Sequence, residues 1–167
     1  ETKMSQFGTG IQGRQESRKE IGRIAMMHPS TYVAQTVAAI PNHFYKSILD
    51  AASFNGPAVV NTYTTCQPEH GVGDDMARRQ AKLAVESRAF PVFTYDPRKG
   101  DTIRSRLSLQ GNPAQKADWY TVPKTDETID FITFARTEGR FAKQFDKDGN
   151  PRDAILAANE DRLSNWH

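Results

Sequence analysis

Apolar residues fall in short runs separated by glycines, prolines and charged clusters, and the spacing inside each run assigns an element. Ile21, Ile24 and Met27 stand three apart, which predicts a short helix over 20–27 that Pro29 stops. The run 31–40, with Tyr32, Val33, Ala34 and Val37, reads as a strand. Pro41 and Asn42 then open a helix, Asn42 as its cap. Phe44, Ile48, Leu49 and Ala52 carry it at helical spacing to about residue 54. Asn55-Gly56-Pro57 ends it, because glycine supplies a left-handed cap and proline cannot continue a helix. Residues 57–63 predict a second, buried strand, followed by Cys66 and a turn at 67–71. Asp74 or Asp75 opens a helix to about Ser87, with acidic residues at its positive end. The sequence FPVFTY at 90–95 is a third strand. This alternation over 31–95 predicts parallel strands joined by right-handed crossovers.

Beyond residue 95 the pattern changes. Ile103, Ser105, Leu107 and Leu109 alternate as in a short edge strand over 104–109, and 111–124 reads as a loop carrying Trp119 and Tyr120. Phe131, Phe134, Ala135, Phe141, Ala142 and Phe145 form one stripe, which predicts a single helix over 126–145. A turn at 146–150 and a last helix at 151–166, with proline in its first turn, complete the chain. The expected class is α/β: a partly parallel sheet with flanking helices, followed by a C-terminal helical extension. Three sections are expected: a polar loop at 1–19, the strand–helix–strand section at 20–100, and an edge strand, loop and helices at 101–167 packed on the same domain.

A chain of 167 residues has room for one domain. Its 22 basic residues against 20 acidic ones give no case for a nucleic-acid or membrane-surface partner. No apolar run approaches the roughly 20 residues that span a bilayer. A single cysteine excludes an internal disulfide framework and fits a reducing compartment, so a cytoplasmic location is expected. The chain opens on Glu1 rather than Met, which predicts a fragment or a processed product.

Candidate chemistry centres on Cys66, at the C-terminal tip of a strand, where open α/β sheets place their ligands. One thiolate cannot build a metal site alone. Cys66 is therefore either a small core residue or one ligand of a site completed by residues from elsewhere. His70 follows four residues later and reads as a turn residue or as facing a substrate carboxylate. His28, His43 and His167 show no paired ligand spacing. Gly8-Thr9-Gly10-Ile11-Gln12-Gly13 has the form G-x-G-x-x-G but lacks the preceding strand and following helix that a dinucleotide loop needs. Asp146, Asp148 and Asn150 form a turn, since the glycine is fourth rather than sixth and Ala157 takes the twelfth place of a calcium loop. Glu138, on the aromatic stripe, calls for a partner, and Arg136 or Arg140 is near enough to serve.

Several short motifs recur together in one family. They are Ile24-Ala25-Met26-Met27, Tyr32-Val33-Ala34-Gln35, Asn55-Gly56-Pro57, Cys66 with His70-Gly71, Lys82 to Ser87, and Tyr95-Asp96-Pro97. In order and spacing they make the stretch from Gly22 to Trp166 resemble the C-terminal part of the thiamine-diphosphate domain of pyruvate:ferredoxin (or flavodoxin) oxidoreductases. The resemblance implies that Cys66 is the fourth ligand of the [4Fe–4S] cluster nearest the thiamine, the other three coming from an upstream segment. It implies that Asn42, Glu69 and His70 line the cofactor or substrate site. The family's Gly-Asp-Gly and Asn-Thr-Gly-Gly-Gln signatures do not occur here, so most ligands of thiamine diphosphate and Mg²⁺ are expected outside this chain. Residues 1–19 then become the loop leaving the cofactor site. The implied reaction is oxidative decarboxylation of a 2-oxoacid, pyruvate foremost, to an acyl-CoA, with electrons passing to ferredoxin or flavodoxin. The implied partners are the remaining domains of the same enzyme, coenzyme A and a second copy in a homodimer; the fragment alone is expected to be inactive. An alternative from another class is a noncatalytic α/β assembly or docking subunit.

Overall fold

A computed structural model describes residues 18–167. The helices are α1 (Ile21–Met26), α2 (Pro41–Ala52), α3 (Gln67–His70), α4 (Ala77–Glu86), α5 (Ile103–Arg106), α6 (Phe131–Arg136) and α7 (Asp153–Trp166). The strands are β1 (Tyr32–Val37), β2 (Ala58–Tyr63), β3 (Phe93–Tyr95), β4 (Leu107–Ser108), β5 (Tyr120–Thr121) and β6 (Thr128–Ile129). The main sheet has the order β2-β1-β3-β4, and β5 pairs with β6 as a separate hairpin. The class is α/β, as expected, with helices packed on a mixed sheet and a helix at the C-terminal end.

β1 is the centre of the sheet, and all six of its residues are buried. That explains its nearly continuous apolar run, the pattern of a strand covered on both faces. Its two polar interior residues are satisfied. Gln35 donates to the Pro91 carbonyl at 2.7 Å and accepts from Asn61 at 2.9 Å, while Thr36 meets His43 Nδ1 at 2.8 Å. β2 lies parallel to β1, Tyr32 facing Ala58 and Val37 facing Tyr63. It forms the sheet edge and is only partly buried, a correction to the buried strand expected at 57–63.

The expected all-parallel run fails at the third strand. β3 is antiparallel to β1, with Phe93 opposite Gln35 and Tyr95 opposite Val33. Alternating apolar runs encode the spacing of elements and not the direction in which a strand is entered. Arg88 adopts the left-handed conformation (φ 60°) after α4, and Phe90 N–H returns to the Ala84 carbonyl at 2.8 Å. Segment 64–92 therefore leaves and re-enters the sheet at the same end.

The single helix expected over 126–145 is also corrected. It is β6, then α6, then a 3₁₀ turn, Gly139–Gln144. Asp130 caps α6 by accepting from Thr133 N–H at 2.8 Å, so the helix starts there and not at residue 126. Glu138 then takes an extended conformation (φ −117°, ψ 120°) that no helix continues through. The aromatic stripe survives the break because the pieces wrap one core. Phe131, Phe134 and Phe141 pack ring on ring at 5.9–6.5 Å, with Ala84, Val85, Val92 and Ile155 around them.

Three smaller expectations change. Asn42 lies inside α2, whose cap is Ile40 with Pro41 in the first turn. Residues 103–106 form a helical turn closed by a Thr102/Ser105 capping box, which leaves only Leu107–Ser108 as edge strand. α1 packs through Gly22, where a Cβ would stand 2.7 Å from the Phe93 ring, and its apolar row Ile21, Ile24 and Met27 faces outward. The formal glycine motif at 8–13 lies outside the described residues.

Candidate functional site

β1 and β2 finish side by side at Val37 and Tyr63. The segments after them, the start of α2 and the loop bearing Cys66, therefore leave from the carboxyl ends of a parallel pair. Open α/β sheets bind ligands at this edge.

Cys66 stands three residues beyond Tyr63 with an exposed thiol. It caps α3 in an extended conformation, and its carbonyl accepts from His70 N–H at 2.8 Å. The turn predicted at 67–71 is thus one turn of helix, closed by Gly71 at φ 63°. Gly71 has a second reason to be glycine: a Cβ there would stand 2.8 Å from the Gly139 Cα. The two glycines let the loop and the 3₁₀ turn touch backbone to backbone, with Gly139 N–H donating to the Gly71 carbonyl at 3.1 Å.

Beneath the loop lies Glu138, 1% exposed. Its Oε1 accepts from Tyr63 Oη at 3.0 Å and from Gln80 Nε2 at 3.0 Å, and Arg140 Nε donates to Oε2. Thr137 Oγ1 extends the network to Gln80 Oε1 at 3.0 Å. His70 Nδ1 stands 3.7 Å from Glu138 Oε1, buried and without a hydrogen-bond partner among the described residues. Burial pushes the His70 pKa down, the Arg140 guanidinium adds to this, and the Glu138 carboxylate opposes it. Burial and then the Glu138 charge push the Tyr63 phenol up, so it stays a donor. Buried polar oxygens are costly unless they accept hydrogen bonds, and both Glu138 oxygens do.

Cys66 and Glu69 share the exposed outer side of this turn, while His70 is turned inward toward Glu138. Asn42 is exposed at the start of α2 and lines a separate cavity of about 220 Å³ with His43, Lys46, Lys99 and Gln110. The structure therefore gathers three of the four expected residues on one turn and sets Asn42 in another pocket. Among the described residues no three His, Cys, Asp or Glu side chains come together as a metal site. The donor set at the loop is one exposed thiol, which suits a ligand shared with another segment and not a self-contained centre.

Glu138 was marked by its place on an apolar stripe, and Arg140 is the partner of the two expected. Tyr63 and Gln80 were missed. Gln80 carried a readable signal, a polar residue on the inner face of α4 beside the buried Ala81, Ala84 and Val85. Arg88 carried none. It is fully buried, donates to the carbonyls of Pro113, Ala114, Ala117 and Asp118, and lies 3.7 Å from the Trp166 ring centre. It ties the loop 113–118 and the end of α7 to the sheet.

No protein-family model matches the chain. Among curated proteins, it is 31% identical over 160 residues to the pyruvate-flavodoxin oxidoreductase of Rhodospirillum rubrum, covering 93% of this chain and 12% of that protein. It is 30% identical over 109 residues to the probable pyruvate-flavodoxin oxidoreductase of Escherichia coli (strain K12), covering 65% of this chain and 9% of that protein. With the pyruvate synthase subunit PorB of Methanocaldococcus jannaschii it shares 27% over 118 residues, 65% of this chain and 40% of that subunit. The chain thus spans about a tenth of the length of the first two relatives and two fifths of the third.

Proposed function

Since the chain belongs to the family of pyruvate:ferredoxin and pyruvate:flavodoxin oxidoreductases, we propose that it is the section of such an enzyme that lends one thiolate to an iron–sulfur cluster beside the thiamine. The observation that carries this reading is Cys66 itself. It is the sole cysteine, exposed, at the carboxyl end of a parallel strand pair, on a loop fastened from beneath. A buried structural cysteine would sit in the core, and this one does not.

A [4Fe–4S] cluster bound there would supply one-electron transfer away from the oxidised 2-oxoacid. This chain's own part is narrower. Cys66 offers the sulfur as thiolate, α3 and Gly71 hold it at the sheet edge, Glu69 presents a carboxyl group on the same exposed side of the turn, and Asn42 offers its amide from the separate cavity at the start of α2. The enzyme's reaction is then oxidative decarboxylation of a 2-oxoacid, pyruvate first, to acyl-CoA and carbon dioxide. The two electrons pass to ferredoxin or flavodoxin. The Mg²⁺ and diphosphate ligands, and the remaining cluster ligands, belong to other segments. The isolated chain is inactive on this reading.

The test uses native material purified without oxygen. Thiamine diphosphate, iron and acid-labile sulfide are assayed in the fraction that carries this chain's peptides, and the polypeptide size is recorded. A polypeptide far larger than 18.7 kDa with all three components co-eluting supports the proposal. A free chain of that mass without them contradicts it and favours a noncatalytic assembly subunit.

A further inference from the structure

The buried carboxylate under the loop has no place in the chemistry proposed above, yet its contacts bracket Cys66. Tyr63 is the last residue of β2, three before Cys66, and His70 ends α3, four after it. The same Glu138 oxygen accepts from Tyr63 Oη at 3.0 Å and faces His70 Nδ1 at 3.7 Å. Gln80 brings α4 to that oxygen at 3.0 Å, and Arg140 takes the other. The next residue, Gly139, donates to the Gly71 carbonyl. Both ends of the Cys66 loop are thus tied to one two-residue step, Glu138-Gly139, at the break between α6 and the 3₁₀ turn, where Glu138 is extended.

The geometry points to Glu138 as a positioning residue for Cys66: it fixes the two ends of the thiol-bearing loop and so sets where the sulfur stands relative to the cluster it ligates. This rests on the proposed function for its consequence, though not for the clamp itself. The network stabilises the break in the 131–144 segment only if the carboxylate enters the interior, and entry requires the partners it has. An isolated ionised carboxylate would be expelled or neutralised. A reason for keeping a buried, fully partnered charge at this point is that it specifies one arrangement of the loop.

The test uses the full-length enzyme with Glu138→Ala and, as a milder change, Tyr63→Phe, each compared with Cys66→Ser. Two readouts separate the clamp from the cluster assignment. Hydrogen exchange reports the clamp. In both variants the His70 and Gly71 amides, which donate to the Cys66 and Gln67 carbonyls, are expected to exchange at least tenfold faster, while β1 keeps its protection. Unchanged protection at His70 and Gly71 overturns the inference whatever the cluster does. The reduced cluster's EPR spectrum and midpoint potential report the consequence. A tenfold change in the reduction equilibrium, about 59 mV for a one-electron couple, is expected in Glu138→Ala, with KM for the 2-oxoacid unchanged. A lower melting temperature with the same spectrum and potential reduces Glu138 to a fold residue and overturns the inference. If Cys66→Ser leaves the spectrum intact, the cluster assignment fails instead, and the exchange result still decides the clamp.

Discussion

Three residues show how local surroundings set the chemistry of a single position. Arg88 has four carbonyl acceptors and a tryptophan face, and burial lowers its pKa to about 10, which leaves it charged at neutral pH. Arg88→Ala strands those carbonyls and opens a cavity beside Trp166. A loss on the order of 3 kcal/mol is expected, read from the urea midpoint of the chain's domain. Gly71→Ala meets both a left-handed backbone and the Gly139 Cα. It should cost at least about 1 kcal/mol and loosen the Cys66 loop, whereas alanine at the exposed Ser53, just past the end of α2, should be nearly silent. His43 supplies a pH dependence. Desolvation holds its pKa below the ordinary value, with Nε2 buried and unpartnered. The unfolded chain takes up the proton once pH falls below about 6.5 and the folded chain resists it, so stability drops as pH passes downward through that value. Urea midpoints at pH 7.5 and 5.5 should differ in that sense, and His43→Gln should shrink the difference; an unchanged difference would show that the acid sensitivity lies elsewhere.

Among the elements, the strands β1, β2 and β3 and the helices α2 and α4 were legible in the sequence because their apolar spacing is regular, whereas the short β5 and β6 fell in stretches read as loop and helix. The strand direction was not legible, since Arg88's left-handed turn decides it and arginine carries no mark of positive φ. Nor was the break at Glu138. The phenylalanine stripe keeps helical spacing across it, and only contact with Gly71, 68 positions away in sequence, explains why the helix stops. α1 shows the complementary failure: spacing identified a helix, but the buried face is Gly22's and the apolar row points out. Of the candidate site, Cys66 at a strand tip could be read directly. The clamp beneath it joins four elements and could not. At this scale the capping residue Asp130 is testable. Asp130→Ala should cost about 1 kcal/mol by removing the acceptor for Thr133 N–H and Oγ1.

As a whole, the molecule has surfaces that call for partners. Ile21, Ile24 and Met27 on and just after α1, and Tyr45, Ile48 and Leu49 on α2, are all at least 40% exposed, and among the described residues β2 leaves an unpaired strand edge. Water-facing parallel edges and apolar helix rows promote association. The separately expressed chain should therefore sediment as oligomers or aggregates, and Leu49→Lys with Ile24→Glu should shift it toward monomer; a wild-type chain monomeric at high concentration would contradict this. The role of Cys66 is tested most directly by EPR of the dithionite-reduced full-length enzyme, wild type beside Cys66→Ser. With Cys66 as a cluster ligand, one cluster signal disappears or changes form in the variant and electron transfer to the acceptor slows sharply. An identical spectrum, with the same iron content, would contradict Cys66 as a ligand.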